Sequence, residues 1–310
     1  MLEHIMPEVF AVDIGGTQIK AARVDEQGRV LDSRKIGTPH SIEDFSAAAA
    51  VLTKELATGA AAAGFGCKGL VDTRTTVVRV LPGTLHYLEG RSLAELFGVA
   101  AIPAAAENDA RVALLGERRW GAARGRDDVI FLTLGTGVGG GVLTGGRLLR
   151  GSTGAGSHIG HLTVDPQGVP CICGNRGCLE TVFSAKAIEA AAFSARHRGV
   201  ASVLLNGPDS PACEQVFAAA TSGDAVAIEI VSRAVYVLGA ALAGLVYVFD
   251  PEVIVLGGQM AAAGSILFDP IRAMIRERTY PMLQREIPVV RSELDGTGVV
   301  GAAALALDCL

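Results

Sequence analysis

The sequence VFAVDIGGT at residues 9–17 decides the fold class, because it reads as a short buried strand that runs directly into a glycine turn. A second stretch, TLGTGVGGG at residues 133–141, repeats this strand–glycine–strand pattern. Glycine destabilises strands, so five glycines and two threonines in nine residues indicate a backbone that approaches a polyanion closely. The alternative interpretation is a glycine-rich bend at the edge of a sheet. The two stretches predict a pair of related α/β halves with a cleft between them.

The segments around the two glycine turns carry alternating strand and helix patterns. Ser41 is a predicted N-cap for an Ala-rich helix that extends to about Ala63, and the apolar run 60–69 is a predicted strand. Small and charged residues at 121–128 form a possible seam between the halves. Further strands are predicted at 19–24, 102–106, 129–134 and 251–256, and further helices at 93–97, 110–120, 185–197 and 224–248. The fold class is therefore α/β.

Composition and charge narrow the possible functions. The chain has 310 residues, of which 50% are hydrophobic and 19% charged, as expected for a globular protein of two domains. A formal net charge of -5 does not provide the positive field that nucleic-acid binding requires. The first residues lack a signal-peptide pattern, and the apolar run 240–249 is too short to span a bilayer. We predict a cytoplasmic protein with no nucleic-acid or membrane partner.

Three of the six cysteines lie within eight residues, close to a histidine. The spacing H-x9-C-x-C-x4-C supplies one imidazole and three thiolates from His161, Cys171, Cys173 and Cys178, which is a complete tetrahedral ligand set for Zn²⁺. Because no coordination position stays open, the pattern predicts a structural metal. Free cysteines in a surface loop are the alternative interpretation.

Other candidate residues follow predicted strands, and each has a simpler interpretation. Asp13 and Thr17 can bind Mg²⁺ and phosphate, or they can belong to an ordinary capped hairpin. Asp109 can take a proton from a hydroxyl while Asn108 orients a polyol, although both residue types also favour helix caps. Gly257 and Gly258 can face a ligand or form a plain turn, Glu180 can be a charge at the start of a surface helix, and His158 can be a loop histidine.

Five motifs in this order resemble the ROK family of sugar kinases, in the actin/hexokinase superfamily. The motifs are DIGGT at 13–17, ENDA at 107–110, GTGVGGG at 135–141, GAGSHIGH at 154–161 and CICGNRGCLE at 171–180. Together they cover essentially the whole chain. The resemblance implies a two-domain actin-like ATPase (ribonuclease H-like) fold with an interdomain cleft. It also implies an N-terminal domain 1–122, completed by a helix at about 297–310, and a larger domain 123–296 that carries the zinc loop 161–178.

The resemblance further implies that the protein transfers the γ-phosphoryl group of Mg-ATP to a hydroxyl of a hexose or an N-acetylhexosamine. ATP with Mg²⁺ would contact Asp13, Gly15, Gly16, Thr17, Lys20, Gly135, Thr136, Gly137, Gly139, Gly257 and Gly258. The sugar would contact Gly69, Asn108, Asp109, His158, His161 and Glu180, with Asp109 as the general base. His161 would serve both sugar and Zn²⁺. A homodimer or higher homo-oligomer is expected by resemblance alone.

Three departures from the family pattern lie near the sugar. Glucokinase-like members usually carry Glu at the position of His158, whereas similar histidines occur in bacterial N-acylmannosamine kinases, so an N-acetylhexosamine gains weight over glucose. Lys68 stands in place of a usual Pro, and Leu81-Pro82-Gly83 replaces a common Pro-Asn pair. The alternatives are a catalytically silent sugar-binding protein and a sugar-responsive regulator. A DNA-binding repressor is disfavoured because only twelve residues precede Asp13.

Overall fold

The computed structural model describes residues 7–81, 85–195, 201–205 and 211–310, which form two compact units. The N-terminal unit comprises the chain through Gly125 together with Arg150–Gly156 and Glu293–Leu310. The C-terminal unit comprises Arg126–Leu149 and Ser157–Ser292. The predicted segments around the two glycine turns therefore fall in different units, one in each.

A five-stranded sheet in the order β3-β2-β1-β4-β7 forms the centre of the N-terminal unit. Its strands are β1 (Val9–Ile14), β2 (Gln18–Val24), β3 (Val30–Gly37), β4 (Ala62–Cys67) and β7 (Ala104–Asn108), with a small hairpin of β5 (Leu70–Val71) and β6 (Val78–Val80). Strands β1, β4 and β7 run parallel. Because they end at the same edge of the sheet, Asp13 and Asn108 lie along one line of strand ends.

Helices cover both faces of this sheet. They are α1 (Ile42–Leu56), α2 (Leu93–Leu96), α3 (Asp109–Trp120) and α8 (Thr297–Leu307). Every residue of β4 is buried, as parallel strands covered on both faces require. Helix α8 approaches β4 so closely that a Cβ on Gly64 would lie 1.9 Å from the carbonyl oxygen of Ala302. A glycine is therefore needed at residue 64.

The C-terminal unit repeats the arrangement with a sheet in the order β10-β9-β8-β11-β12. Its strands are β8 (Val129–Leu134), β9 (Val138–Thr144), β10 (Arg147–Leu148), β11 (Val253–Gly257) and β12 (Val289–Arg291). Its helices are α4 (Ala185–Ala195), α5 (Cys213–Thr221), α6 (Ala225–Phe249) and α7 (Ser265–Leu283). Strand β8 pairs antiparallel with β9 and parallel with β11, so each unit combines a glycine hairpin with parallel strands.

Helix α6 is long and apolar enough, by length and composition, to cross a bilayer. Half of its most apolar stretch of 18 residues is buried within the protein. Helix α6 contributes Leu238, Leu242 and Val246 to the core of the C-terminal unit. The core helix of a globular protein can be equally long and apolar, so the length and composition of α6 are weak evidence for a membrane span.

Two predicted elements differ from the structure. Helix α1 ends at Leu56 rather than near Ala63, because Ala57 is its C-cap and Gly59 adopts a left-handed conformation with φ of 79°. Strand β4 accordingly begins at Ala62. The predicted helix 185–197 is observed as far as Ala195, and its last two residues lie outside the described residues.

Candidate active site

Asp13 lies at the end of β1, beside the first glycine turn. The hydroxyl of Thr38 donates a hydrogen bond to the carbonyl oxygen of Gly15 at 2.7 Å, and the Thr38 amide donates to the carbonyl of Thr17 at 3.0 Å. These bonds hold the turn while Gly16 and Thr17 stay exposed. The turn therefore presents backbone to solvent at the strand ends, as a phosphate-binding turn requires.

The environment of Asp13 shifts its ionisation. The pKa of Asp13 is raised to about 6, first because the carboxyl group is buried and second because the Asp109 carboxylate is nearby, while Lys20 opposes the shift. In helix α8, a Cβ on Gly298 would lie 2.3 Å from Oδ2 of Asp13. Asp13 is thus a confined carboxylate next to a second carboxylate, an arrangement that a divalent cation would stabilise.

Asn108 and Asp109 lie where β7 becomes α3. Oδ1 of Asn108 accepts a hydrogen bond from the Ala110 amide at 3.1 Å, so Asn108 caps the helix. Its Nδ2 also donates to the carbonyl of Gly69 at 3.2 Å, and Gly69 has a φ of 81° that favours glycine. The capping interpretation is therefore correct for Asn108, and the same side chain links this corner to the loop at residue 69. The Asp109 side chain is partly exposed.

A buried ionic network supports this corner. The Glu107 carboxylate accepts hydrogen bonds from the Asn108 amide at 2.8 Å and from Arg150 Nε at 2.6 Å, and it pairs with Arg111 Nη2 at 2.8 Å. Arg111, only 1% exposed, also donates to the carbonyls of Gly154 at 2.9 Å and Gly156 at 3.0 Å. The network fixes the backbone next to Asp109.

The sequence interpretation gave no role to Glu107, Arg111 or Arg150. The i, i+4 spacing of Glu107 and Arg111 at the start of α3 is a local signal that could have found the pair. No local sequence pattern indicates that residues 150–156 pack with the N-terminal unit, and they were predicted to belong to the larger domain. The predicted domain boundaries stay a prediction.

The second glycine turn joins β8 to β9 in the C-terminal unit. The Gly135 amide donates to the carbonyl of Gly137 at 3.0 Å, and the Ala185 amide, at the start of α4, donates to the carbonyl of Gly135 at 2.9 Å. Thr136 is exposed at the tip, and Gly139 follows it in β9. Oε2 of Glu180 accepts a hydrogen bond from the Val138 amide at 3.1 Å. This turn is therefore held partly by a carboxylate.

Gly257 and Gly258 have a packing role. Gly258 has a φ of 83°, and a Cβ there would lie 2.3 Å from the carbonyl oxygen of Leu134. A Cβ on Gly257 would lie 3.1 Å from Cβ of Ser292. Close packing thus accounts for both glycines, and it sets Gly258 against the residue that precedes Gly135.

His161, Cys171, Cys173 and Cys178 come together in the C-terminal unit, with their ligand atoms all within 4.8 Å of one another. Sγ of Cys171 lies 3.6 Å from Nδ1 of His161, and Sγ of Cys173 lies 3.7 Å from Sγ of Cys178. A tetrahedral ion with Zn–S bonds of about 2.3 Å separates its ligands by about 3.8 Å. The donor set therefore fits Zn²⁺, with Nδ1 as the metal-facing nitrogen and Nε2 left for another partner.

The loop around these ligands depends on its glycines. Gly177 has a φ of 62°, and a Cβ there would lie 1.5 Å from the carbonyl oxygen of Asp165. The imidazoles of His158 and His161 are nearly parallel, with ring centroids 6.3 Å apart. Oε1 of Glu180 lies 3.9 Å from Sγ of Cys171. The structure thus places two of the predicted sugar-binding residues, His158 and Glu180, beside the ligand cluster.

The predicted site residues form one group in each unit. Asp13, the first turn, Gly69, Asn108 and Asp109 belong to the N-terminal unit, and Lys20 faces Asp13 across the β1–β2 pair. The second turn, Gly257, Gly258, His158, His161 and Glu180 belong to the C-terminal unit. Lys68 is partly buried at the end of β4, whereas Pro82 and Gly83 lie outside the described residues.

Two α/β units, each built on a strand–glycine–strand hairpin, define an actin-like ATPase fold. The ROK family profile matches residues 9–309, and the chain belongs to the ROK family. It is 36% identical over 306 residues to a glucokinase of Thermotoga maritima, covering 96% of each chain. It is 33% identical over 302 residues to an N-acetylmannosamine kinase of Citrobacter koseri, covering 96% of this chain and 98% of that one.

Solved structures give the same family. A ROK glucokinase from Streptomyces griseus in complex with glucose and AMPPNP superposes with a TM-score of 0.82 at 35% identity, covering 97% of this chain and 99% of that one. A ROK transcriptional regulator, a homolog of the E. coli MLC protein, superposes with a TM-score of 0.86 at 27% identity. There the match covers 98% of this chain and 78% of the regulator. The predicted family and fold class are confirmed.

Proposed function

We propose that this chain is an ATP-dependent sugar kinase that transfers the γ-phosphoryl group of Mg-ATP to the 6-hydroxyl of a hexose or an N-acetylhexosamine. One observation carries the proposal. Asp13, the first glycine turn and Asp109 meet at one edge of the parallel strands, and the Asp109 charge acts on Asp13. An exposed glycine turn suited to phosphate, a carboxylate suited to Mg²⁺ and a candidate base thus belong to the same sheet edge, which supports the proposal.

In the proposed reaction Asp109 accepts the proton of the sugar hydroxyl. The hydroxyl oxygen forms a bond to the γ-phosphorus as the bond from that phosphorus to the β–γ bridging oxygen breaks, and ADP leaves with the electron pair. Backbone amides of both turns orient the phosphates, and Asn108 orients the sugar. Asp13 would hold Mg²⁺ directly or through water, and the ion would neutralise phosphate charge. Positioning and charge neutralisation supply most of the rate acceleration.

The Cys₃His cluster would hold a structural Zn²⁺. Three thiolates and one imidazole leave no coordination position open, so the ion would take no part in the transfer. Its role would be to order residues 161–180, which carry His161 and Glu180. We assign His161 Nε2 and one Glu180 carboxylate oxygen to sugar hydroxyls, and Gly69 and His158 to the same substrate.

The sugar is proposed to be an N-acetylhexosamine, such as N-acetylmannosamine, or glucose. Support for an N-acetylated sugar comes from His158, because an imidazole can donate a hydrogen bond to an acyl carbonyl whereas the carboxylate usual at this position cannot. The curated relatives include both activities by name. A coupled ADP-release assay with glucose, mannose, fructose, N-acetylglucosamine and N-acetylmannosamine decides between them. We expect His158→Glu to shift kcat/KM toward glucose about tenfold; an unchanged ratio removes His158 from the specificity assignment.

Asp109→Asn tests the assigned base. Loss of the proton acceptor is expected to lower kcat about 10³-fold, while the dissociation constant for the sugar, measured by calorimetry, changes only a few-fold. Turnover equal to that of the wild type contradicts the assignment.

The likeness to a regulator favours a second candidate, a sugar-binding protein without turnover. Sugar binding with no ADP release from any of the five sugars would establish it. Homo-oligomerisation and a cytoplasmic location remain predictions, which gel filtration and cell fractionation test.

A further inference from the structure

The second glycine turn is next to a carboxylate that comes from a distant part of the sequence. Glu180 lies 42 residues after Val138, yet its Oε2 accepts the Val138 amide hydrogen at 3.1 Å. A Cβ on Gly137 would lie 2.2 Å from the same oxygen, so the carboxylate occupies the space that a side chain at residue 137 would fill. The absence of a side chain at residue 137 and the position of Glu180 therefore depend on each other.

The other carboxylate oxygen faces a different part of the site. Oε1 lies 3.9 Å from Sγ of Cys171, on the side of the ligand cluster. Cys171 Sγ donates a weak hydrogen bond to Oε1, but a carboxylate oxygen can accept more than one hydrogen bond. Oε2 can therefore hold the turn while Oε1 also accepts from a sugar hydroxyl. Because it is charged, the carboxylate is a stronger hydrogen-bond acceptor for the Val138 amide than a neutral oxygen would be.

We propose that Glu180 is a positioning residue for the nucleotide: its carboxylate holds the Val138 amide and thereby fixes the backbone of residues 135–138 for binding phosphate. This inference rests on the proposed function, which assigns the turn to ATP. It adds to Glu180 a role that does not require sugar, and it explains why residue 137 in this chain has no side chain.

The geometry offers a way to displace the carboxylate without removing it. Among the described residues, the Cβ of Gly137→Ala would contact only the Glu180 carboxyl group. Because this group is the end of a flexible side chain, it can move away from the new methyl group. The φ of Gly137 is not among the positive values, so alanine fits the backbone. Gly135→Ala is the matched comparison: a Cβ there meets no described atom within 4 Å, so any weakening of nucleotide binding that it causes does not act through Glu180.

The test measures the dissociation constant of Mg-AMPPNP by calorimetry, on the full-length protein and without sugar. Glu180→Ala is expected to weaken binding about tenfold, and Gly137→Ala by a similar factor. The double variant E180A/G137A should bind like E180A alone, because both changes remove the same contact. Gly135→Ala combined with E180A should instead give multiplied effects. Glu180→Gln keeps an acceptor oxygen for the Val138 amide and should restore most of the affinity.

Metal content and melting temperature are measured on every variant, so that a loss of folding is recognised. Wild-type affinity in E180A, or multiplied effects in E180A/G137A, would overturn the inference. Gly135→Val separates the inference from the proposed function. If G135V weakens binding while E180A and G137A do not, Glu180 has no positioning role and the turn still binds nucleotide. If G135V binds Mg-AMPPNP with wild-type affinity, the assignment of the turn to ATP is wrong, and this inference is wrong with it.

Discussion

The two glycine turns have similar sequences but different chemical support. Asp13 and Thr133 occupy equivalent positions, two residues before the first glycine of each turn. The first turn thus has a carboxylate on its own strand and is held by the Thr38 hydroxyl. The second turn has a threonine there and takes its carboxylate from Glu180. The comparison indicates that the local motif specifies an exposed backbone, whereas each unit supplies the charge from a different place.

The largest expected effect is on kcat/KM and distinguishes Asp13 from Thr133, the equivalent residues of the two strands. Asp13→Asn is expected to lower kcat/KM about 10³-fold, or about 4 kcal/mol, because a neutral amide binds Mg²⁺ poorly. Thr133→Val is the matched change on the second strand and should lower kcat/KM less than about tenfold. Steady-state kinetics with a coupled assay measures both. Equal losses in the two variants would mean that the turns are chemically equivalent.

The next effect concerns the ligand cluster, which belongs to the unit of the second turn only. Cys173→Ser is expected to lose stoichiometric zinc and to lower the free energy of unfolding by about 3 kcal/mol, because the loop loses its cross-link. Elemental analysis and denaturant titration measure both quantities. Cys309→Ser, in the N-terminal unit, is the control and should keep the metal. Stoichiometric zinc in C173S contradicts the ligand set.

The smallest expected effect uses the pKa of Asp13. A carboxyl group whose pKa rises to about 6 on folding stabilises the folded state when protonated, and this contribution is lost as the pH rises through 6. Asp13→Asn should therefore increase stability by about 3 kcal/mol at pH 8 in metal-free buffer and have little effect near pH 4. Urea titrations at both pH values test this. A stabilisation that does not depend on pH would rule out the carboxyl ionisation as its cause.

The sequence predicted the fold class correctly, because buried strands and glycine turns leave a local pattern. It was wrong about the end of helix α1, since an Ala-rich segment has high helix propensity beyond Leu56 and Gly59 ends it through backbone conformation. The interpretation of Asn108 as a cap is confirmed, and its bond to Gly69 was not predictable from composition. The roles of Asp109, His158 and the nucleotide-binding residues stay predictions that the variants above test.

By itself the sequence indicated that His161, Cys171, Cys173 and Cys178 come together, because 18 residues of loop contain all four donors. That they bind a metal ion stays a prediction. The sequence also predicted the two exposed turns, because a run of glycines directly after a buried strand is typical of a turn with exposed backbone. Only the tertiary structure decided which charged side chains meet which distant backbone groups. Glu180 reaches Val138, and Arg111 reaches Gly154 and Gly156, through packing of segments more than 40 residues apart in the chain. Such contacts depend on how whole elements pack, which no local spacing encodes.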